Sequence, residues 1–414
     1  MSKTMRQRMK EAEARCKDAF ARIDEIAFAN TGRVLDAFQR ARVAVRHFAP
    51  TTGYGYGDVG RDTLDSIFAD LFGTEAALVR PQIASGTHAL AVCLFGLLQP
   101  GDHLLSATGR PYDTLRDVIG LDGPEAGSLR EMGISYSQVE LGLDGLPDIQ
   151  EIRGAMRKNT RLVAVQRSRG YSERRSLMPV DMRPLSTVLK AEFPSALLMV
   201  DNCYGEFVCT DEPTHHGADI CVGSLIKNPG GGLAPAGGYI VGPAALVDRC
   251  GYRLTAPGIG REVGSYGAGY QPFYQGLFMA PHTVAQALKT ATLAAALLEG
   301  LGIGAAPSVD EVRSDTIQAL ELGSPERLIA FCRGIQAASP IDSMAIPEPS
   351  NMPGYQSQII MAAGTFVGGA SIELSADAPI RPPYVAYLQG GLTYSHGKLA
   401  LWRTLEGMKE EGYF

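Results

Sequence analysis

The sequence lacks the cysteine spacing of a disulfide framework or a zinc site. Its seven cysteines are an odd number in 414 residues, and no two of them form a C-x-x-C pair. A reducing compartment is therefore expected, which favours a cytoplasmic protein. Positive charge is not in excess either, because the formal net charge is -6. With no basic surface to meet a phosphate backbone, we expect no nucleic acid partner.

Long apolar runs are missing as well. The first twenty residues, MSKTMRQRMKEAEARCKDAF, are charged and lack the apolar core of a secretory signal. The most apolar stretches, 89–98 and 290–301, are shorter than the roughly twenty residues that cross a bilayer, so no membrane association is expected. The phosphate-loop signature G-x-x-x-x-G-K-[ST] and the nucleophile elbow G-x-S-x-G are also absent. These absences argue against nucleotide hydrolases and esterases.

Periodic patterns divide the chain into three parts. Residues 1–60 combine helical spacing with the glycine-rich break TTGYGYGDVG, which predicts an appended helical arm. Residues 61–245 alternate short apolar runs with amphipathic stretches such as 87–98 and 114–119, which predicts an α/β domain with a mostly parallel sheet. The predicted strands are 76–79, 103–106, 162–165, 196–200, 220–222 and 239–241.

The pattern changes in residues 246–414. Helical stretches at 282–301 and 325–338 precede short β-like runs at 358–362 and 370–374. We therefore expect a smaller C-terminal α+β domain after the larger α/β domain.

Three segments carry residues suited to chemistry. An apolar strand ends at Asp201, and a second one is followed by Ser224 and Lys227. Ligands of open α/β sheets lie beyond the carboxyl ends of the strands, where a lysine amine with a lowered pKa would suit imine chemistry. Residues Ser85-Gly86-Thr87 open an apolar helix and are typical of a phosphate site at a helix N-terminus, or of a simple N-cap.

Two other patterns point elsewhere. Residues 55–60 match the dinucleotide signature G-x-G-x-x-G, but a proline-containing loop precedes them and two tyrosines would crowd a pyrophosphate. His215 and His216 lie near Asp219, yet adjacent histidines tend to point apart and no fourth ligand stands out. Neither a nicotinamide cofactor nor a metal is therefore predicted.

The succession SGTHAL, PYDTL, VDNCYGEF and SLIKNPGG strongly resembles fold-type I pyridoxal 5′-phosphate (PLP) enzymes of cysteine and methionine metabolism. The whole chain is similar to the branch named aluminium resistance protein or methionine gamma-lyase family protein. Matching stretches include TGYGYGDVGRDTL, ALVRPQIASGTHAL, SLIKNPGGGLAPAGGYIVG and YLQGGLTYSHGKLAL. The resemblance implies a large domain with a mostly parallel seven-stranded sheet and PLP as the cofactor.

The resemblance also implies a role for each matching residue. Lys227 would bind PLP as a Schiff base, and Asp201 would pair with its pyridinium nitrogen. Gly86, Thr87 and Ser224, with Ser85 at the same helix start, would bind the phosphate. Tyr112 would stack on the cofactor and assist proton transfer to the leaving group.

Further predicted residues lie outside this cluster. Tyr56 matches a tyrosine that reaches the phosphate of a neighbouring subunit, although Asp58 replaces the arginine that follows it in related lyases, so Arg61 remakes this contact or it is lost. Tyr54 is predicted to contact the substrate, and Arg381 to bind its α-carboxylate through a bidentate guanidinium. Arg167, Arg169 and Tyr171 follow a predicted strand and face either the cleft or solvent.

The activity that the resemblance implies is elimination from a sulfur-containing or other Cγ-substituted amino acid, with cleavage of a carbon–sulfur or carbon–oxygen bond. A gamma-replacement synthase and a cystathionine beta-lyase-like enzyme would use the same cofactor residues, and a PLP-binding protein without turnover is the alternative from another class. The N-terminal arm and Tyr56 also predict a homo-oligomer, a dimer or tetramer with shared active sites.

Overall fold

The computed structural model describes residues 4–122, 126–352 and 357–414. Within these ranges the chain forms eleven α-helices and twelve β-strands. The helices are α1 (Met5–Arg15), α2 (Lys17–Arg40), α3 (Val59–Leu71), α4 (Gly86–Leu97), α5 (Asp113–Ile119), α6 (Ile149–Ala155), α7 (Met182–Glu192), α8 (Ala244–Leu254), α9 (Gln271–Glu299), α10 (Pro325–Ala337) and α11 (Tyr394–Glu410). None of the helices in these ranges is long and apolar enough to span a bilayer.

The strands of the described ranges form two sheets. The larger one contains β1 (Ala76–Arg80), β2 (His103–Ser106), β3 (Ser135–Gln138), β4 (Thr160–Gln166), β5 (Leu197–Asp201), β6 (Ile220–Ser224) and β7 (Gly238–Gly242). The smaller one contains β8 (Gly304–Ala306), β9 (Ile317–Glu321), β10 (Ile359–Ala362), β11 (Ser375–Pro379) and β12 (Val385–Gln389).

The larger sheet has the order β1-β7-β6-β5-β4-β2-β3 and is parallel except for β7, which runs antiparallel to both β1 and β6. Its central strands read as unbroken apolar runs because helices cover both faces of the sheet. The predicted α/β fold with a mostly parallel seven-stranded sheet is confirmed. Parallel pairing brings the carboxyl ends of β4, β5 and β6 to one edge.

The smaller sheet is antiparallel throughout, in the order β10-β11-β12-β9-β8. The predicted β-like run at 370–374 is wrong, because these residues form turns and the strand begins at Ser375. The Glu373 carboxylate accepts the backbone N–H groups of Phe366 (2.9 Å) and Val367 (2.9 Å). A side chain that binds the backbone in this way stabilises a turn rather than a strand.

Two helical segments connect the domains. The first half of α9 packs in the core beneath the large sheet, and its second half packs in the core of the smaller domain. In the N-terminal arm, α1 buries Met5, Met9 and Ala12 in that second core, while α2 packs against α9. The arm is therefore an integral part of both cores rather than an appendage.

Candidate functional site

The carboxyl edge of the large sheet places three of the predicted residues side by side. Asp201 is the last residue of β5, in register with Gln166 at the end of β4 and with Val222 of β6. Ser224 is the last residue of β6, and Lys227 lies in the loop that follows this strand. The strand ends thus gather a carboxylate, a hydroxyl and an amine at one place, as the sequence predicts for a ligand site.

The N-terminus of α4 closes this group from one side. A Cβ built on Gly86 would lie 3.3 Å from Cys203 Sγ, 3.5 Å from Ser224 Cβ and 3.9 Å from Lys227 Nζ. A side chain at this position would be in van der Waals contact with Ser224 and Lys227 and would be tight against Cys203, so the helix start approaches these residues closely. The first backbone N–H groups of α4 therefore lie next to Ser224 and Lys227, where helix polarity favours an anion.

The hydroxyls at this helix start differ in their contacts. Ser85 is the N-cap of α4, and its Oγ accepts the His88 N–H (3.0 Å). Thr87 Oγ1 exchanges a hydrogen bond with Thr114 Oγ1 (2.7 Å), which ties α4 to α5. Ser224 Oγ, by contrast, is fully buried and has no hydrogen-bond partner among the described residues. A buried hydroxyl without a partner suits a phosphate oxygen, so these residues fit the phosphate of PLP.

Lys227 lies over an aromatic ring that the sequence did not single out. Its Nζ is 3.9 Å from the centroid of the Tyr204 ring. Tyr204 has φ = 73°, a left-handed conformation that bulky side chains rarely adopt. Asn228 Nδ2 stabilises it by donating to the carbonyls of Tyr204 (2.9 Å) and Glu206 (2.9 Å). Strain held in this way is common at functional sites.

The electrostatics around Lys227 differ from the expectation of a lowered pKa. Burial lowers the pKa of the Lys227 amine. The nearby Cys203, Tyr204 and Asp201 side chains outweigh this effect, so the pKa is raised overall. Burial itself raises the pKa of the Cys203 thiol and of the Tyr204 phenol, so neither is ionised at neutral pH. The carboxylate of Asp201 is thus the charge next to the amine that matters at neutral pH.

Asp201 responds to the same environment. Burial raises the pKa of its carboxyl group, and the nearby Lys227 amine opposes that rise. The Cys203 N–H donates to Asp201 Oδ1 (3.1 Å), which fixes the side chain at the strand end. A half-buried carboxylate at the end of this strand is well suited to meet a cationic ring nitrogen. Asp201 therefore fits the pyridinium of PLP.

A buried polar network supports the strand ends from below. Arg167 is completely buried, and its Nη1 donates to Asn202 Oδ1 (2.8 Å) and lies 3.7 Å from Glu212 Oε2. Glu206 accepts the Tyr239 hydroxyl at Oε1 (2.7 Å), while its Oε2 is buried without a partner. Burial raises the pKa of Glu206 to about 8. Arg167 is thus a structural residue and does not face the cleft.

Tyr112 borders a cleft of about 690 Å³ next to this site. The residue precedes α5, and its N–H donates to Gln166 Oε1 (3.1 Å), which ties it to the end of β4. The Tyr112 and Tyr171 ring centroids are 5.8 Å apart. Tyr171 packs against the same small cluster as Tyr204, which includes Tyr387. The cleft and Lys227 therefore border one group of tyrosines.

Arg381 lies in the wall of the same cleft, between β11 and β12, and its side chain is exposed. Its Nη2 donates weakly to the Tyr171 carbonyl (3.5 Å). Asp377, on the neighbouring strand β11, is half-buried and accepts the Tyr171 hydroxyl (3.2 Å). Burial raises the pKa of Asp377 to about 6. The smaller domain thus supplies Arg381 and Asp377 to the site.

Tyr54 and Tyr56 do not join this group within one chain. Their side chains are 70% and 66% exposed, and their ring centroids are 5.6 Å apart. Both belong to the loop that leads into α3, whose backbone is held by the Gly264 N–H donating to the Tyr54 carbonyl (3.0 Å). Two exposed aromatic rings on a well-anchored loop are suited to contact another subunit.

Asp58 and Arg61 hold that loop in place. Asp58 is the N-cap of α3, accepting the Arg61 N–H (3.0 Å) and the Tyr270 hydroxyl (2.9 Å). Arg61 is 1% exposed, and its Nη1 donates to the Gly55 carbonyl (3.0 Å). An acid at this helix start would repel a pyrophosphate, which argues further against the dinucleotide signature. The guanidinium of Arg61 is likewise engaged with its own loop.

The same architecture occurs in the PLP-dependent protein YhfS from Escherichia coli, with a TM-score of 0.63 and 18% identity over 94% of this chain and 97% of that one. At 18% identity this likeness shows the fold alone. The protein therefore has the fold-type I architecture of PLP-dependent enzymes. The sequence profile described as methionine gamma-lyase matches residues 5–409, so the chain belongs to the methionine gamma-lyase family.

Two relatives are similar over nearly the whole chain. The uncharacterized protein YnbB of Bacillus subtilis (strain 168) is 51% identical over 402 residues, which are 97% of this chain and 96% of YnbB. A structure described as a carbon-sulfur lyase involved in aluminum resistance, from Clostridium novyi NT, is 47% identical. It superposes with a TM-score of 0.94 over 98% of this chain and 96% of its own.

Proposed function

We propose that this protein is a PLP-dependent lyase that cleaves the bond between Cγ of an amino acid and a sulfur or oxygen leaving group by elimination. The observation that carries the proposal is the convergence of Lys227 Nζ, the partnerless Ser224 hydroxyl and the N-terminus of α4 at Gly86. Membership of the methionine gamma-lyase family supports a carbon–sulfur lyase in general, and the choice of substrate is part of the proposal.

The residues of the site have distinct tasks in this proposal. Ser224 and the first turn of α4 bind the cofactor phosphate, and Asp201 meets its ring nitrogen. When bound, PLP withdraws electrons from the substrate Cα. The Lys227 amine holds the cofactor between turnovers and moves protons on and off the substrate carbons. The Tyr112 hydroxyl gives a proton to the departing sulfur or oxygen, and Arg381 binds the α-carboxylate.

The direct test is chemical trapping of the cofactor. We expect protein supplied with PLP to absorb visible light, and borohydride followed by peptide mapping to locate the modified amine at Lys227. Release of ammonia and a keto acid from one amino acid alone would support elimination, since replacement needs a second nucleophile. A modified lysine without turnover of any Cγ- or Cβ-substituted amino acid would leave a PLP-binding protein, and the absence of a modified lysine would overturn the proposal.

The exposed tyrosines further support a homo-oligomer in which Tyr56 completes the site of a neighbouring subunit. We expect Lys227→Ala and Tyr56→Ala subunits to be nearly inactive alone and to complement each other when mixed. A two-fold dimer with shared sites has one intact site in each hybrid, so roughly a quarter of the original activity should return after subunit exchange. Mixtures that stay inactive although hybrids form would contradict a shared site.

A further inference from the structure

Among the residues that the structure describes, six arginines line the cleft beside Tyr112, and three of these form salt bridges with acids. The further three, Arg169, Arg174 and Arg381, come from two separate parts of the chain. Arg169 and Arg174 follow β4 in the large domain, whereas Arg381 belongs to the smaller domain. Arg169 and Arg381 both act on the same group, because each lowers the pKa of the Tyr387 phenol against the larger effect of burial. Arg174 lines the same cleft, and the charge of Arg169 acts on it, so the three guanidinium groups lie in one neighbourhood.

Their hydrogen bonds go to carbonyl groups rather than to acids. Arg169 Nη1 donates to the Ala306 carbonyl (2.8 Å), Arg174 Nη2 to the Gln166 carbonyl (2.8 Å), and Arg381 Nη2 to the Tyr171 carbonyl (3.5 Å). Within residues 4–122, 126–352 and 357–414, none of the three forms a salt bridge with a carboxylate. Arg169 is 3% exposed, and its buried Nε has no hydrogen-bond partner in these ranges.

The acids near these arginines are engaged elsewhere. Asp315 accepts the backbone N–H of Arg169 (3.2 Å) and the Ser176 hydroxyl. In the cleft wall, Asp113 pairs with Arg116 (3.0 Å), and Asp144 accepts the Leu146 N–H (3.0 Å).

In the described part of the chain, six arginines line the cleft against three acids, Asp113, Glu140 and Asp144, so positive charge is in excess there. Burial lowers the pKa of Arg174 to about 10, and the charge of Arg169 adds to that effect, although Asp315 opposes it. A bound anion would relieve both the desolvation and the repulsion between the two guanidinium groups.

One carboxylate pairs fully with one guanidinium through two parallel hydrogen bonds. If Arg381 binds the α-carboxylate of the substrate, Arg169 and Arg174 remain for a second anion. We propose that they bind a negatively charged group on the leaving-group side of the substrate. The preferred substrates are then Cγ-substituted amino acids whose sulfur carries a carboxylate-bearing substituent rather than a methyl group. This inference rests on the proposed lyase function and specifies its substrate class.

The test compares two substrates of nearly equal shape, S-(carboxymethyl)homocysteine and its neutral amide, S-(carbamoylmethyl)homocysteine. Because a charge-assisted hydrogen bond is worth more than a neutral one, we expect kcat/KM of the holoenzyme to be about tenfold or more higher for the carboxylate. Equal values, or a preference for the amide, would overturn the proposal without any variant being made.

Variants then assign the subsite. Arg169→Gln should bring the ratio of the two kcat/KM values close to one through a loss for the carboxylate substrate alone, and Arg169→Lys should retain part of the preference. Arg381→Gln should lower kcat/KM for both substrates alike, since both carry the α-carboxylate. The control is Arg175→Gln, because Arg175 lines the same cleft but is exposed and pairs with Asp181 (3.2 Å). A ratio unchanged in folded Arg169→Gln protein would overturn the assignment to Arg169.

Binding separates failure of the subsite from failure of the lyase function. Both compounds are titrated calorimetrically into holoenzyme that has been reduced with borohydride and no longer turns over. Tighter binding of the carboxylate by about tenfold supports the subsite even if neither compound is a substrate, in which case the lyase proposal fails alone. Equal binding of the two compounds together with equal kcat/KM values overturns the anion subsite and leaves the lyase proposal standing.

Discussion

Replacing Lys227 by alanine is expected to abolish both trapping of the cofactor by borohydride and turnover, with a loss of at least about 10³-fold in kcat. The magnitude reflects two tasks lost at once, because a positioned acid–base group contributes about 10² to 10⁴ and the covalent link to the cofactor disappears as well. The measurement is release of ammonia and keto acid under single-turnover and steady-state conditions, with circular dichroism as the check of folding.

The fold should survive this substitution. The Lys227 amine lies over the Tyr204 ring, and loss of such a contact costs roughly 0.5–2 kcal/mol. The matched control is Lys158→Ala, since Lys158 is an exposed lysine far along the chain from the strand ends. It should leave trapping and turnover unchanged. Undiminished activity of folded Lys227→Ala protein would show that another group carries the chemistry.

The central strands could be predicted from the sequence because they are buried on both faces. The apolar runs at 196–200 and 220–222 became β5 at Leu197–Asp201 and β6 at Ile220–Ser224. The strand β3 was missed, since its sequence SYSQ is mostly polar and only half-buried at the sheet edge. The strands β9 and β12 were missed too. A short strand whose partners lie far away in sequence has no local signal strong enough to reveal it.

Some residues of the site could likewise be predicted from the sequence, and others could not. Lys227, Asp201 and Ser224 could be predicted because they follow apolar strands, and because their order resembles that of a known family. Tyr204 was missed although it comes three residues after Asp201, because its left-handed backbone and its position beneath Lys227 arise only from tertiary contacts. Arg174 was missed as a cleft residue for a similar reason, since a run of charges in a loop is typical of a solvated segment.

The buried network beneath Asp201 gives the largest expected effect on stability. Arg167 donates to Asn202 and to the Leu177 carbonyl (3.0 Å), while Glu212 accepts the Asn202 amide (2.8 Å) and the Phe207 N–H (3.1 Å). Burial raises the pKa of Glu212 although Arg167 opposes it, which fits a pair whose 3.7 Å separation only partly offsets desolvation. These contacts fix the chain that follows β5, and with it the carboxylate of Asp201.

Arg167→Met should therefore lower the free energy of unfolding by about 3–5 kcal/mol, because Glu212 is left as a buried carboxylate without its counter-charge. The double variant with Glu212→Gln should recover part of this loss, since the amide carries no charge to bury. Urea-induced unfolding of the apoprotein measures both. Arg153→Met is the control: its pair with Glu192 is largely exposed, with side-chain exposures of 36% and 42%, and should contribute about 0–1 kcal/mol. If Arg167→Met costs no more than this control, the network does not support the strand ends in the way that its geometry indicates.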